Sequence, residues 1–107
     1  MPIVHLRAYT LKTANLAAAY AQRWKPTMAS IAKAPYNIKT RGVYLSETNP
    51  KQVLAIIEFK DDDDPAAKIE AYAKSDAFQA DLGEMEMSNF ENVESTTLKP
   101  LDFVPGQ

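Results

Sequence analysis

The sequence predicts an α+β domain of ferredoxin-like order, β-α-β-β-α-β, with a four-stranded antiparallel sheet, two helices on one face, and pairing of two copies into a dimeric α/β barrel. Three observations predict it. Apolar residues alternate in the segment that opens the chain, two stretches of helical spacing flank a hairpin, and the second hairpin strand is apolar on both sides. At 107 residues the chain can bury about two thirds of its unfolded surface around one core, so residues 1–107 are read as a single domain.

Residues 3–11 alternate as a strand, with Val4, Leu6 and Ala8 on one side and Ile3, His5, Arg7 and Tyr9 on the other. Thr13 has the chemistry of a helix cap, and Leu16, Tyr20, Trp24, Met28 and Ile31 then recur at three- and four-residue steps along one stripe. Pro26 removes one backbone donor inside that helix, which predicts a kink or a break after Lys25. The helix should end by Ala34, before Pro35. Residues 38–47 read as a second strand, 48–51 as a turn, and 52–60 as a third strand. Asp64 before Pro65 starts a second helix, because the carboxylate accepts from free first-turn amides where proline loses no useful donor. Ser75 restarts it as a further segment that carries Phe78 and Leu82 before Gly83. A linker over residues 85–90 leads to a Val- and Thr-containing strand at 92–98 and a tail that ends in Pro105-Gly106-Gln107.

The third strand sets Val53, Ala55, Ile57 and Phe59 against Leu54 and Ile56, so both faces are apolar although helices cover only one. A second copy presenting the same sheet is the simplest cover, hence the expected homodimer. Which side faces the partner is left open by the alternation. If it is the side of Ile57, an aspartate there should dissociate or unfold the protein.

Composition narrows the function classes. A net charge of −2 offers no basic field for nucleic acid, and the absence of cysteine removes disulfides, thiolate metal sites and a cysteine nucleophile. No apolar run approaches the ~20 residues of a membrane span, and the opening ten residues carry charge in a strand-like pattern rather than a secretory signal, so a cytoplasmic location is expected. With three glycines there is no dinucleotide or phosphate-loop pattern, and no cofactor is expected. Asp61 to Asp64 could attract a hard cation, but the run lacks calcium-loop spacing and negative charge is favourable at a helix start. It is read as solvated helix-starting charge, and no metal site is expected.

The stretch Val4-His5-Leu6-Arg7-Ala8-Tyr9-Thr10-Leu11-Lys12 resembles the opening of NIPSNAP-family domains. Trp24 with Pro26, and Ser75-Asp76-Ala77-Phe78, resemble segments of the wider dimeric α/β barrel group, which includes EthD-like and antibiotic-biosynthesis monooxygenase-like proteins. The resemblance spans nearly the whole chain, though only the opening stretch is specific. It implies a homodimer with facing sheets and a small cavity in each subunit between sheet and helices. Its functional message is broad, since the group holds cofactor-free oxygenases, polyketide cyclases, haem-degrading enzymes and proteins without known activity. Cyclases of this fold tend to pair a first-strand histidine with another near the position where this chain has Phe78. Haem-degrading relatives use a histidine on the second helix, where this chain has none.

His5, the only histidine, is the candidate general base, against the plainer reading of a hydrogen-bonded strand residue. Arg7 is the candidate anion partner, although a structural pair with Glu58 of the third strand is the preferred reading. Tyr9, Tyr20, Trp24, Tyr72 and Phe78 are the candidate walls of a ligand cavity, and the same spacing would serve an ordinary core. The function read from the sequence is a NIPSNAP-like dimeric domain binding a small apolar or aromatic molecule. The alternative is a cofactor-independent oxygenase or cyclase acting on an aromatic or enolisable substrate, with enzyme status open.

Overall fold

A computed structural model describes residues 2–105, so Met1, Gly106 and Gln107, the last two residues of the expected tail, lie outside the described residues. The chain runs β1 (Ile3–Leu11), α1 (Ala14–Ala32), β2 (Lys39–Leu45), β3 (Gln52–Phe59), α2 (Pro65–Ala73), α3 (Asp76–Leu82), a single 3₁₀ turn (Met87–Asn89) and β4 (Phe90–Leu98). The strands form one antiparallel sheet in the order β2-β3-β1-β4, with a bulge in β2 between Thr40 and Gly42. This is the ferredoxin-like arrangement, and strand ends differ from the alternation by one or two residues.

Each helix begins where a side chain can satisfy free first-turn amides. Thr13 accepts from the Leu16 amide, Asp64 from Ala67 and Ser75 from Phe78. The second helical region is therefore two helices, with Ser75 as the restart. The expected break after Lys25 does not occur, and α1 continues through Pro26. The Thr27 hydroxyl donates to the Arg23 carbonyl at 2.9 Å, adding a side-chain bond to the backbone in the turn that proline weakens. The buried stripe also differs by one step. Ala17, Tyr20, Trp24 and Ile31 are buried and Thr27 completes the spacing, whereas Met28 is 40% exposed.

The register assigns the faces. Ile3, His5, Arg7 and Tyr9 pair with Phe59, Ile57, Ala55 and Val53, and this side carries the core shared with α1, α2 and α3. Leu6 and Ala8 pair with Ile56 and Leu54 on the face that the helices leave uncovered. Ile57 is thus a core residue under the helices, not a residue of the open face. The preferred Arg7–Glu58 pair does not form, because Glu58 lies opposite Val4 on the open face, where it pairs with Arg41 at 3.8 Å. In the aspartate run, Asp64 caps α2, while Asp63 accepts from the Lys60 amide and pairs with Lys68 at 3.1 Å. Burial opposes ionisation of Asp63, but the bonds from Lys60 and Lys68 prevail and hold its carboxyl below the usual range.

Candidate functional site

A cavity of about 140 Å³ lies between the helix-covered sheet face and the helices. β1 contributes Arg7 and Tyr9, α1 contributes Tyr20, Trp24 and Thr27, and α2 and α3 contribute Tyr72 and Phe78. Its walls are two aromatic groups. On the sheet side Tyr9 meets Tyr20 at 5.1 Å and Trp24 at 6.0 Å between ring centroids, and Tyr20 meets Phe90 edge-on at 4.8 Å. On the helix side Tyr72 meets Phe78 at 5.3 Å and Tyr36 at 5.5 Å. Val93 and Met87 also line the cavity and are 39% and 55% exposed, which places its mouth beside β4.

The structure brings Arg7, Tyr9, Tyr20, Trp24, Tyr72 and Phe78 around this one cavity; His5 is not among the lining residues. His5 shares their face but lies two residues further back along β1, with its ring edge-on to Phe59 at 5.3 Å and Nε2 3.3 Å from the Thr97 hydroxyl. Its Nδ1 is buried without a partner. Burial and the nearby Arg7 charge lower its pKa, which favours the neutral imidazole.

Arg7 donates from Nε to the Tyr9 hydroxyl at 2.9 Å and from Nη1 to the Ser95 hydroxyl at 2.8 Å, with its guanidinium 5.3 Å from the Tyr9 ring centroid. Among the described residues it pairs with no carboxylate, and Nη2 makes no hydrogen bond. The indole Nε1 of Trp24 is likewise buried without an acceptor, although it leans toward the Tyr20 phenol. Burial pushes the Tyr20 phenol well above its ordinary pKa, so it stays protonated.

At the far wall Tyr72 donates to Asp81 Oδ2 at 2.5 Å. Burial, reinforced by the Asp81 carboxylate, raises the Tyr72 pKa. Asp81, only 6% exposed, escaped the sequence reading because a carboxylate in the last turn of a short helix reads as surface. Thr27, Phe90 and Val93 were missed too. Thr27 was recoverable, because it continues the spacing of Ala17, Tyr20 and Trp24. Among the described residues no three His, Cys, Asp or Glu side chains are placed to hold a metal ion, and no helix is long and apolar enough to cross a membrane.

Residues 4–105 match the NIPSNAP family. Among solved structures, a NIPSNAP family protein from Agrobacterium tumefaciens superposes with a TM-score of 0.73 at 22% identity, covering 100% of both chains. A NIPSNAP-like domain protein from Burkholderia xenovorans gives 0.73 at 22% identity, covering 97% of this chain and 89% of that one. A candidate antibiotic biosynthesis monooxygenase from Bacteroides thetaiotaomicron gives 0.67 at 15% identity, covering 99% and 93%. At these identities the likeness is one of fold. No curated protein matches the sequence.

Proposed function

This chain belongs to the NIPSNAP family, and on that premise we propose that it is a small-molecule-binding domain whose cavity takes an apolar or aromatic molecule. The observation that carries the proposal is the aromatic-walled space of about 140 Å³ between sheet and helices. That size is close to an engineered core cavity of about 150 Å³ that admits benzene, so a single ring is the unit that fits. A neutral single-ring probe tests it. Toluene should perturb the NMR signals of Trp24 saturably and raise the melting temperature. A Trp24 signal indifferent to toluene at its solubility limit and to its polar single-ring analogues alike would sink the proposal.

The same reading has the domain working as a homodimer joined through its open sheet face. Leu6, Leu54 and Ile56 lie there half-buried, with Tyr44 and Leu98 exposed at its margins, and no helix covers them. A cofactor-independent oxygenase or cyclase with His5 as base has less support, because the imidazole lies outside the cavity lining.

A further inference from the structure

We infer that the cavity selects an anion: a single-ring carboxylate, or an enolate of the same size, whose charged oxygens sit on Arg7 and whose ring lies among Tyr9, Trp24 and Tyr72. The inference rests on the cavity being a ligand site, and it adds the ligand's charge. Its basis is a count of what the lining offers and what it has already used. Among the described residues Arg7 is the only charged side chain in the lining, which holds no carboxylate, amide or imidazole. The polar groups of the helix side are committed within the protein. Tyr72 gives its proton to Asp81, and Thr27 gives its proton to the Arg23 carbonyl.

What is left uncommitted consists of donors. Among the described residues Nη2 of Arg7 has no partner, and the indole N–H of Trp24, a residue 4% exposed, is buried with no acceptor beyond the Tyr20 phenol toward which it leans. A buried donor that lacks a full hydrogen bond costs up to about 1–3 kcal/mol, so a ligand that supplies an acceptor to the indole gains part of what the empty site forgoes. An unpaired guanidinium beside an apolar space is matched by a group with two oxygens in a plane, since its fork accepts a carboxylate bidentately. The Nε and Nη1 bonds to Tyr9 and Ser95 hold the guanidinium in place, so little further freedom is lost on binding. A cationic ligand would meet Arg7 directly and find no counter-charge in the lining.

The test compares benzoate with benzyl alcohol and toluene on the whole chain, read through the indole N–H resonance of Trp24, the only tryptophan. Benzoate should bind at least about tenfold more tightly than either neutral probe at low salt, and the advantage should shrink as salt is added. Arg7→Met should remove that advantage, read as the ratio of benzoate to toluene affinity within the same variant. Arg7→Lys should retain part of the advantage, because the charge remains and the fork is lost. In the wild type the preference for benzoate should be flat from about pH 6 to pH 9, as an arginine partner requires and a histidine partner does not. Toluene binding without preference for benzoate overturns this inference and leaves the cavity reading standing. Failure of all three probes overturns both. A preference that survives Arg7→Met, or that titrates away between about pH 6 and pH 7, overturns the assignment to Arg7.

Discussion

Both faces of the sheet carry apolar side chains on β3, four on the covered side and two on the open side, and do different things with them. On the helix-covered face Val53, Ala55, Ile57 and Phe59 are buried at 0–3% exposure beneath α1, while on the open face Leu54 and Ile56 remain half-buried. The covered face is where mutation should cost stability, and the open face is where it should cost association. Hydrophobicity alone does not account for the difference, since Leu54 and Ile56 are as apolar as the residues that alternate with them. It comes from which side the crossover helix α1 lies on, and that is a property of the whole topology rather than of β3.

Aspartate placed on each face breaks the comparison most sharply. Ile57→Asp should unfold the protein, because it removes a buried apolar side chain from the core and sets a carboxylate among those that remain, at a cost of about 4 kcal/mol or more. Ile56→Asp, one residue away, should keep the circular dichroism spectrum and yield a monomer by light scattering, against the dimer proposed for the wild type. A folded Ile57→Asp variant would overturn the face assignment. A wild type of monomeric mass at micromolar concentration would remove the homodimer.

This pair also marks how far the sequence could be read. Alternation separates Ile57 from Ile56 without saying which is covered, since a strand apolar on both sides carries no parity signal. Register was equally hidden. Arg7 and Glu58 look like partners on neighbouring strands, yet the antiparallel pairing sets Arg7 opposite Ala55 and sends Glu58 to the other face. Elements and caps were legible because they are local: Thr13, Asp64 and Ser75 each act within three residues. The six aromatic and cationic candidates around the cavity were legible as types, being large side chains at regular spacing. Their convergence, and the exclusion of His5 from it, depend on contacts between elements. Asp81 depends on one as well, because only the packing of α3 on α2 brings its carboxylate to Tyr72.

Within the covered face, the bond between those two residues should give the next largest effect. Tyr72→Phe keeps the ring contacts with Tyr36 and Phe78 but strips the buried Asp81 carboxylate of the phenol that donates to it. A loss of about 2 kcal/mol in urea unfolding is expected, and Tyr72→Phe combined with Asp81→Asn should recover part of it. Losses that simply add would show that the two residues are uncoupled.

A smaller effect is expected where α3 is latched to α1. Gly83 ends α3 at φ 62°, and Arg23 of α1 donates from Nε to the Asp81 carbonyl at 2.7 Å, close against that glycine. A Cβ at Gly83 would sit 3.0 Å from the Arg23 guanidinium, so Gly83→Ala meets both backbone strain and a side chain that its own bonds hold in place. The expected cost is about 1–2 kcal/mol. Combining it with Arg23→Ala should relieve the contact and leave the strain. If Gly83→Ala melts like the wild type, α3 is not held at this end.

The smallest effect concerns His5 and reads the environment of the covered face through pH. Its pKa is lowered, first by burial and then by the Arg7 charge, so the folded protein resists protonation at His5 while the unfolded chain accepts a proton near the ordinary value. The unfolded state therefore binds more protons as pH falls, and stability must fall with it. The contribution of the neutral imidazole is fully present above about pH 6.5 and is lost as pH drops toward the folded value. His5→Gln cannot titrate, and its amide can serve the Thr97 hydroxyl that His5 Nε2 approaches. Urea melts at about pH 7.5 and pH 5.5 should show wild type losing ground to the Gln variant on acidification. A stability difference identical at both pH values would mean that the imidazole is solvated rather than desolvated. The same variant should bind toluene as the wild type does, because His5 does not line the cavity. Loss of binding without loss of stability in His5→Gln would return the histidine to the site and reopen the reading of this fold as an acid–base enzyme.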